Sequence, residues 1–477
     1  MDLKEKLAQY SKLDIYPMHM PGHKRNQFLM SMADPYSMDI TEITGFDDLH
    51  HAHGILSETM ERAAKLFGCE KSHLLVNGST SGILAAITAA VKKGDTVLVA
   101  RNCHKSVYHA MELYHLNPIY LMPEMEESFG ICGSINPREV AVALDAHRDI
   151  AAVILTSPTY EGVVSDIAAI VDLAHEHGVP LIVDEAHGAH LPFDDGFPLS
   201  AVACGADLVV QSLHKTLPSL TQTAVLHHCG SLVSGEKLHH QLEVFQTSSP
   251  SYILMASIGA CITLLERERD ALFTAYRGRL SSFYKNISCL KHLRVFDKGD
   301  KDSVFAHDQG KIVISCRGAS FNGTPFFGSD LARILREQHR IEVEMAASDY
   351  VIAMTSIADT DEGFVRLVEA LKIIDRSLES DDTSFHVPSL ILPAAAVTLD
   401  RALRGASVFC PFDNALGKVS AEYIYAYPPG IPFVTPGERI SAAVVRSMKG
   451  LLKSHVELHS TSRRMPKEIR IIVDFNG

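Results

Sequence analysis

Residues 166–184 read DIAAIVDLAHEHGVPLIVD and contain a helix followed by a buried strand. The apolar positions 167, 170, 171 and 174 follow the i, i+3, i+4, i+7 spacing of an amphipathic helix. Asp166 is a suitable N-cap, and Gly178 stands where a helix ends. The apolar run Val179–Asp184 is typical of a strand covered on both faces. We therefore predict a helix-to-strand unit with Asp184 at the carboxyl end of its strand.

The same alternation extends to both sides of this unit. Apolar runs bounded by turn residues predict four more strands, at Leu74–Val76, Thr96–Ala100, Ala152–Leu155 and Asp207–Ser212. Helical patterns lie between them, and Asn136-Pro137 marks one helix start. Alternating strands and helices predict an α/β fold whose sheet is covered by helices on both faces.

The pattern divides the chain into four parts. Residues 1–45 are irregular and rich in Met, Pro and His, which predicts an N-terminal arm, and residues 46–285 hold the large α/β domain. Residues 286–378 predict a small α+β domain with strands and helices at Lys311–Cys316, Ser329–Gln338, Ile341–Met345, Tyr350–Thr355 and Glu362–Arg376. The acidic stretch Glu379–Thr383 is a candidate linker. Residues 385–477 predict a C-terminal domain with a helix from Glu438 to Ser454.

Composition narrows the classes of function. The chain has 477 residues and a net charge of −13 without a long basic run, which argues against a nucleic-acid surface. Its apolar runs are far shorter than the roughly 20 residues that span a bilayer, and its first residues lack the apolar core of a secretory signal. The nine cysteines form no C-x-x-C pair. We expect a reduced, cytoplasmic protein without a structural zinc site.

A loop suited to an anion follows the first predicted strand. Asn77-Gly78-Ser79-Thr80-Ser81-Gly82 precedes the helical run Ile83–Val91. Backbone N–H groups and the helix dipole favour a phosphate at such a helix start. The motif lacks the lysine of a Walker loop, so it predicts a phosphate without saying which one. A plain helix cap is the alternative.

Asp184 and Lys215 follow two other predicted strands. Asp184 begins Asp184-Glu185-Ala186-His187-Gly188, where an aspartate can pair with a protonated pyridine nitrogen and keep the ring an electron sink. Lys215 lies in Gln211-Ser212-Leu213-His214-Lys215-Thr216, within reach of the same sheet edge. A lysine there can bind pyridoxal 5′-phosphate (PLP) as a Schiff base, with Ser212 and His214 beside the phosphate.

Each of these residues has an ordinary alternative. A lysine is usually a solvated surface residue, and Asp184 can be a helix cap or a metal ligand. His187 and His190 form an H-x-x-H pair, but no supporting ligand cluster accompanies them, so we predict no metal. His104, in Arg101-Asn102-Cys103-His104, can stack on a cofactor ring and handle protons, or be a structural histidine. The histidine-rich 50–53 segment is interpreted as a solvated loop.

Taken together, the motifs resemble the Orn/Lys/Arg decarboxylase family of PLP fold type I. The resemblance rests on the segments just quoted and on further ones, namely Met20-Pro21-Gly22-His23-Lys24, Gly45–Leu49, Thr247–Tyr252, Tyr427–Pro432 and Pro436-Gly437-Glu438. It covers nearly the whole chain. It points to the short form that lacks the N-terminal wing domain of larger members. His187 replaces the tryptophan of some large relatives.

The resemblance implies an aspartate-aminotransferase-like large domain with a mixed, mostly parallel sheet, and a role for each matching residue. Lys215 would carry the Schiff base, Asp184 would pair with the pyridine nitrogen, His187 would lie near the ring oxygen and His104 would stack on the ring. The phosphate would be bound by Ser79, Thr80, Ser212 and His214. Thr159 would line the ring edge. Thr247 and Ser248 would reach the phosphate of a second subunit in a homodimer. Glu422 or Glu438 would meet a distal cation.

The activity that the resemblance implies is decarboxylation of lysine, arginine or ornithine to CO2 and a polyamine-type amine. Which amino acid is preferred stays open at this point. Three alternatives remain. Another fold type I activity, such as an aminotransferase or amino-acid lyase, would use the same Lys215 and Asp184. A non-catalytic PLP-binding homologue would keep the cofactor alone, and a metal-dependent hydrolase would use the histidines.

Overall fold

The computed structural model describes residues 2–30, 32, 34–299, 302–381, 391–426, 430–454 and 456–473. Three sequence predictions fall partly outside these residues. They are the end of the candidate linker, the start of the C-terminal domain at residue 385, and the Tyr427-Pro428-Pro429 part of a family signature.

A seven-stranded sheet forms the centre of the described part of the chain. Its strands lie in the order Lys71–Leu75, Ala224–His228, Leu208–Gln211, Leu181–Asp184, Ile150–Thr156, Thr96–Ala100 and Asn117–Leu121. The strand Ala224–His228 runs antiparallel to both of its neighbours, and the other strands run parallel to one another. The sheet is therefore mixed and mostly parallel, which confirms the predicted fold class.

Helices cover this sheet because adjacent strand residues point to opposite faces. Leu75 belongs to one hydrophobic core and Leu74 to another. The first core contains the helices Gly78–Ala90, Lys105–Tyr114, Pro137–Ala146, Ile167–Glu176 and Gly235–Phe245. The second core contains Ile55–Phe67 and Tyr252–Ile287, the latter a helix of 36 residues.

The helix and strand predicted within residues 166–184 both form, although the strand begins at Leu181 and not at Val179. Asp166 accepts a hydrogen bond from the Ala169 backbone N–H at 3.1 Å, and the helix Ile167–Glu176 follows it. Gly178 takes a left-handed φ of 68°, which glycine adopts without strain. The strand Leu181–Asp184 is completely buried and ends at the predicted residue.

Other elements differ from the predictions. The strands Asn117–Leu121 and Ala224–His228 had no clear apolar run; in the second, His227 is buried because Ser72 and Gln211 hydrogen-bond its ring at 2.8 and 3.1 Å. The predicted helix from Glu438 to Ser454 is Ala442–Lys453 instead. Its start is set by Ser441, which caps the Val444 N–H.

A second, four-stranded antiparallel sheet holds the strands Arg294–Val295, Lys311–Ser315, Tyr350–Met354 and Met345–Ala346, in that order. The helices Gly328–His339 and Asp361–Arg376 accompany it. The predicted strand Ile341–Met345 is interrupted at Glu344. Its first part, Ile341–Val343, pairs in parallel with Tyr16–Met18 rather than with the second sheet.

The N-terminal residues are more regular than predicted. They form the helix Leu3–Tyr10, the strand Tyr16–Met18 and the short helix Pro35–Met38. Between them, the Gly22 N–H donates to the His214 carbonyl oxygen at 2.7 Å. A Cβ on Gly22 would lie 2.6 Å from the Leu217 carbonyl oxygen, so this close approach requires glycine. The segment thus packs directly on the Lys215 region.

The C-terminal residues have a hydrophobic core of their own. It is built from the helix Ala442–Lys453, the paired strands Ser407–Pro411 and Glu468–Ile472, and the strands Pro432–Val434, Ile424–Ala426 and Leu458–Ser460. The helix Leu399–Arg404 packs through Leu399 on the first core of the large sheet. Shorter described elements are Met125–Glu126, Ile131–Cys132, Val163–Val164, Leu191–Phe193, Leu213–Thr216, Ala306–His307, Ala319–Phe321, Thr324–Pro325, Glu379–Ser380 and Phe412–Asn414.

The division of the chain into four parts remains our proposal. Among the described residues, no helix has the length and apolarity to cross a membrane.

Candidate active site

A cavity of about 380 Å3 opens at the carboxyl ends of the parallel strands. Open α/β sheets bind their ligands at this edge. Eight of the predicted site residues line it, namely Ser79, Thr80, His104, Thr159, Asp184, His187, His214 and Lys215. The predicted residues Ser212, Thr247, Ser248, Glu422 and Glu438 are not among its lining residues. The structure therefore brings together most of the predicted residues that follow the strands, with Ser212 as an exception.

Asp184 is a buried acid at the end of its strand. Its Oδ1 accepts a hydrogen bond from the Ala186 N–H at 3.2 Å. Burial raises the pKa of Asp184, and the nearby Lys215 acts in the opposite direction. A cationic group placed against this carboxylate would relieve the cost of its burial, which is the environment that a protonated pyridine nitrogen needs.

Lys215 lies in the short helix Leu213–Thr216, directly after the strand Leu208–Gln211. Its Nζ is 3.0 Å from the Nε2 of His187. Burial lowers the pKa of Lys215, although Asp184 opposes this effect. A lowered pKa increases the fraction of neutral amine, which is the nucleophilic form.

His104 caps the helix Lys105–Tyr114 with its own ring. Its Nδ1 accepts from the Ser106 N–H at 3.3 Å, and the Ser106 hydroxyl lies 2.9 Å away. Burial lowers the pKa of His104 to about 3, and Lys215 adds to this effect. The ring is therefore neutral near pH 7, with its proton on Nε2, and it lines the cavity.

The helix Gly78–Ala90 supplies an anion site at one end of the cavity. Asn77 makes no side-chain cap, and Ser79 and Thr80 stand in the first turn. Gly78 has a φ of 73°, a left-handed conformation that favours glycine. The helix N-terminus therefore directs N–H groups and a positive dipole end toward the cavity, as phosphate recognition requires.

Three buried polar atoms near the cavity have no hydrogen-bond partner among the described residues. They are the Oδ1 of Asn102, the Oγ1 of Thr156 and the Oγ of Ser212. Asn102 and Thr156 line the cavity, and Ser212 lies immediately before the Lys215 helix. Because buried polar groups are nearly always satisfied, these atoms indicate that a polar ligand completes the site. Together with Asp184, Lys215 and the helix N-terminus, they fit PLP.

Thr247 and Ser248 lie outside the cavity but close to its anion end. The Thr247 N–H donates to the Asn77 Oδ1 at 3.2 Å, and the Ser248 side chain is exposed. His214 also lines the cavity, with its Nδ1 2.8 Å from the Thr223 carbonyl oxygen. The prediction that Thr247 and Ser248 reach a second subunit stays a prediction.

The two acids predicted to meet a substrate cation are buried elsewhere. Glu422 accepts from the backbone N–H groups of Arg470 and Ser462 at 2.7 and 2.8 Å. Glu438 forms a buried ion pair with Arg101 at 3.1 Å and accepts from the Thr435 N–H at 2.7 Å. Both acids have structural partners, and the structure does not bring either of them to the cavity.

Sequence reasoning missed two acids that do line the cavity, Glu161 and Glu344. Glu344 accepts from the Tyr160 hydroxyl at 2.5 Å and from the Met20 N–H at 2.7 Å. Glu161 accepts from the Tyr350 hydroxyl at 2.9 Å, and burial raises its pKa. The predicted strand Ile341–Met345 contains two glutamates, at 342 and 344, and nothing in the sequence singled out Glu344.

The H-x-x-H pair does not form a metal site. His187 lies between two lysines, whereas His190 lies 3.2 Å from the Asp308 carboxylate. Within the described ranges, no group of three or more His, Cys, Asp or Glu side chains is arranged to hold a metal ion.

Comparison with known proteins adds independent information. Residues 2–325 match the family described as "Orn/Lys/Arg decarboxylase, major domain", and residues 384–459 match "Orn/Lys/Arg decarboxylase, C-terminal domain". The chain is 30% identical to an arginine decarboxylase of Bacillus anthracis, over 98% of this chain and 96% of that protein. It is 23% identical to the inducible lysine decarboxylase of Escherichia coli K12, over 86% and 69%. The crystal structure of the Francisella novicida lysine decarboxylase LdcF superposes with a TM-score of 0.76 at 20% identity, covering 98% of this chain and 83% of that one.

Proposed function

The chain belongs to the Orn/Lys/Arg decarboxylase family, and we propose that this PLP-dependent carboxy-lyase of basic amino acids prefers L-arginine. The proposed active site rests on one observation: Lys215 and Asp184 line the same cavity as an uncapped helix N-terminus. Arginine is supported by the relatives named arginine decarboxylase, which are more similar to this chain than those named lysine decarboxylase.

The proposed roles of the protein residues follow from their positions. Bound PLP supplies an electron sink for the electron pair that departing CO2 leaves on Cα. Lys215 would hold the cofactor covalently, and Asp184 would keep its ring nitrogen protonated. Ser79 and Thr80 would hold the phosphate together with the helix N-terminus, and His104 would cover one face of the ring. The cavity walls exclude water and fix which bond of the substrate is broken.

The remaining predicted residues have supporting roles in this proposal. Ser212 and His214 add contacts to the phosphate, Thr159 lines the ring edge, and His187 lies beside Lys215. Thr247 and Ser248 would approach the phosphate of a partner subunit.

We propose Glu344, rather than Glu422 or Glu438, as the acid that meets the distal cation of the substrate. A carboxylate has about four acceptor sites, so the bonds from Tyr160 and Met20 leave capacity for a guanidinium. An arginine side chain fits such a planar, bidentate contact better than a lysine does.

The test is a direct product assay. The PLP-loaded enzyme is incubated with L-arginine, L-lysine and L-ornithine, while CO2 and the amine products are quantified. We expect agmatine and CO2 in equal amounts, without any added keto acid. Faster formation of cadaverine or putrescine would overturn the preference for arginine, and strict dependence on a keto-acid acceptor would overturn decarboxylation by this chain.

We further propose that two copies of the chain associate. The N-terminal segment exposes Phe28 and Tyr36 almost completely, at 105% and 93% of their reference areas. Large exposed aromatic side chains in one segment are typical of a surface that another molecule covers. Light scattering after size exclusion should give twice the chain mass of 52.3 kDa; a monomer at micromolar concentration would contradict this proposal.

A further inference from the structure

One imidazole joins two buried lysines at the wall of the cavity. The Nε2 of His187 lies 3.0 Å from the Nζ of Lys215, and the Nδ1 of the same ring lies 3.1 Å from the Nζ of Lys311. Lys311 begins the strand Lys311–Ser315 of the second sheet, whereas Lys215 follows a strand of the first. The imidazole therefore connects the two sheets, and none of the roles proposed so far uses Lys311.

The hydrogen-bonding capacity of these groups limits which of them can carry a proton at the same time. A neutral imidazole donates from one nitrogen and accepts at the other, and an ammonium group donates only. The lysine that accepts from His187 must therefore be a neutral amine, whereas the other donates to the ring as an ammonium or as a neutral amine. With a neutral ring, the two lysines therefore carry at most one extra proton between them. A protonated His187 would require two neutral lysines. Burial and the two nearby lysines oppose that form, because they lower the pKa of His187 well below its usual value.

We propose that Lys215 and Lys311 share a single proton through His187. As the proton leaves the Lys215 Nζ, it bonds to the His187 Nε2, the Nδ1–H bond breaks, and that second proton joins the Lys311 Nζ. The reverse transfer restores the ammonium on Lys215. No proton enters or leaves the group, and His187 stays neutral in both arrangements. The inference rests on the proposed function because it supplies Lys215 with the neutral state needed for bonding to a carbonyl.

The site around Lys311 is built to hold this side chain. Gly162 has a φ of 91°, and a Cβ at this position would lie 2.8 Å from the Lys311 Cβ and Cγ, so the lysine stem occupies that space. The Lys311 N–H donates to the Asp308 carbonyl oxygen at 3.0 Å. Burial lowers the pKa of Lys311 to about 7, although Asp308 opposes this effect. Lys311 can therefore take up or release a proton near neutral pH.

Other charged and titratable groups surround the three residues from several elements. Asp308, Glu344 and Lys24 act on Lys311, Asp184 and Glu344 act on Lys215, and His104 and His214 act on His187. Acids therefore face both lysines, and neither lysine is fixed as the ammonium by a single neighbour. Lys24 makes no bond to His187: its Nζ donates to the carbonyl oxygens of His19 and Met354 at 2.8 and 2.6 Å.

The experiment measures the protonation of Lys215 itself. The cofactor-free, full-length chain is treated with limiting acetic anhydride at a series of pH values, and acetylation of Lys215 is followed by peptide mass spectrometry. Lys311→Met removes the second cation. We expect the pH midpoint of Lys215 acetylation to rise by about 1 unit, because a nearby like charge lowers a lysine pKa. Lys311→Arg keeps a donor and a charge, but arginine cannot accept the proton. Here we expect the midpoint to fall, because the charge can no longer move to Lys215.

Opposite shifts in the two variants are the result that supports a shared proton. A purely structural Lys311 predicts shifts in the same direction, toward an ordinary lysine, and that outcome or unchanged midpoints would overturn the proposal. Near-UV circular dichroism checks that each variant keeps its packing. Lys24→Met is the matched control, because it removes a buried lysine whose described hydrogen bonds go to backbone carbonyl oxygens. It should move the midpoint of Lys215 acetylation less than half as far as Lys311→Met does. The labelling uses neither cofactor nor substrate, so its outcome is separate from the decarboxylase and arginine tests.

Discussion

Replacing Glu344 with glutamine removes one negative charge from the cavity and leaves the size of the side chain almost unchanged. In the native protein the two carboxylate oxygens accept from the Tyr160 hydroxyl and the Met20 N–H. A glutamine keeps one oxygen for the Met20 N–H, and its Nε2–H can donate to the Tyr160 oxygen, so weaker neutral bonds replace the charged ones at a cost of about 1 kcal/mol in stability. The fold should therefore survive the change.

The expected effect on catalysis comes from the substrate's distal cation. A hydrogen bond to a charged group contributes about 1.5–3 kcal/mol. Since 1.4 kcal/mol corresponds to a factor of ten, Glu344→Gln should lower kcat/KM for L-arginine by about 10- to 140-fold. L-Citrulline has the same length but no charge, so its much slower turnover should change by less than about 3-fold.

The assay is amine formation at low substrate concentration, with arginine and citrulline measured in parallel. Glu422→Gln is the matched control, because its carboxylate accepts only from backbone N–H groups among the contacts described and lies outside the cavity. It should lower stability and leave kcat/KM for arginine within about 2-fold. If Glu344→Gln slows the turnover of arginine and citrulline equally, Glu344 does not bind the distal cation and the proposed role of Glu344 is wrong.

Three further predictions concern the cofactor residues and the buried ion pair. Lys215→Ala should abolish turnover and the visible absorption band of the bound cofactor; wild-type activity in this variant would exclude Lys215 as the attachment site. Asp184→Asn should still bind PLP but lose roughly 10³-fold in kcat, because an ion pair of this kind contributes about 4 kcal/mol; an unchanged kcat contradicts the proposed role. Glu438→Gln leaves Arg101 buried without its anion and should destabilise the protein by about 3–5 kcal/mol in denaturant unfolding. A large rise in KM without a loss of stability would instead indicate that Glu438 binds the substrate.

Much of the site was predictable because its residues follow recognisable strands. Asp184 ends the strand Leu181–Asp184, and His104 follows the strand Thr96–Ala100. Each strand has a local apolar pattern, and the carboxyl ends of parallel strands share one edge, so the side chains that follow them converge. For these residues, local sequence determines position in three dimensions.

Glu344 was not predictable by the same reasoning. It lies where the predicted strand Ile341–Met345 divides, because Ile341–Val343 leaves the second sheet to pair with Tyr16–Met18. That pairing joins segments more than 300 residues apart, and neither carries a local signal for the other. Glu422 and Glu438 were predicted because they lie in the region of the C-terminal signatures, and that position does not predict the hydrogen-bond partners of a buried acid.

The cavity is lined by residues from segments that are far apart in the sequence. Met20 comes from the N-terminal segment, Glu344 from the second sheet region, and Asp184 and Lys215 from the large sheet. The contacts Met20 N–H to Glu344 and Lys311 to His187 join these parts. A ligand that binds only the assembled cavity stabilises all of them at once, by an amount that grows with ligand concentration over Kd. Hydrogen exchange should therefore slow in Tyr16–Met18 as well as around Lys215 when PLP is added. Protection confined to the large sheet would show that the N-terminal segment is not coupled to the cofactor site.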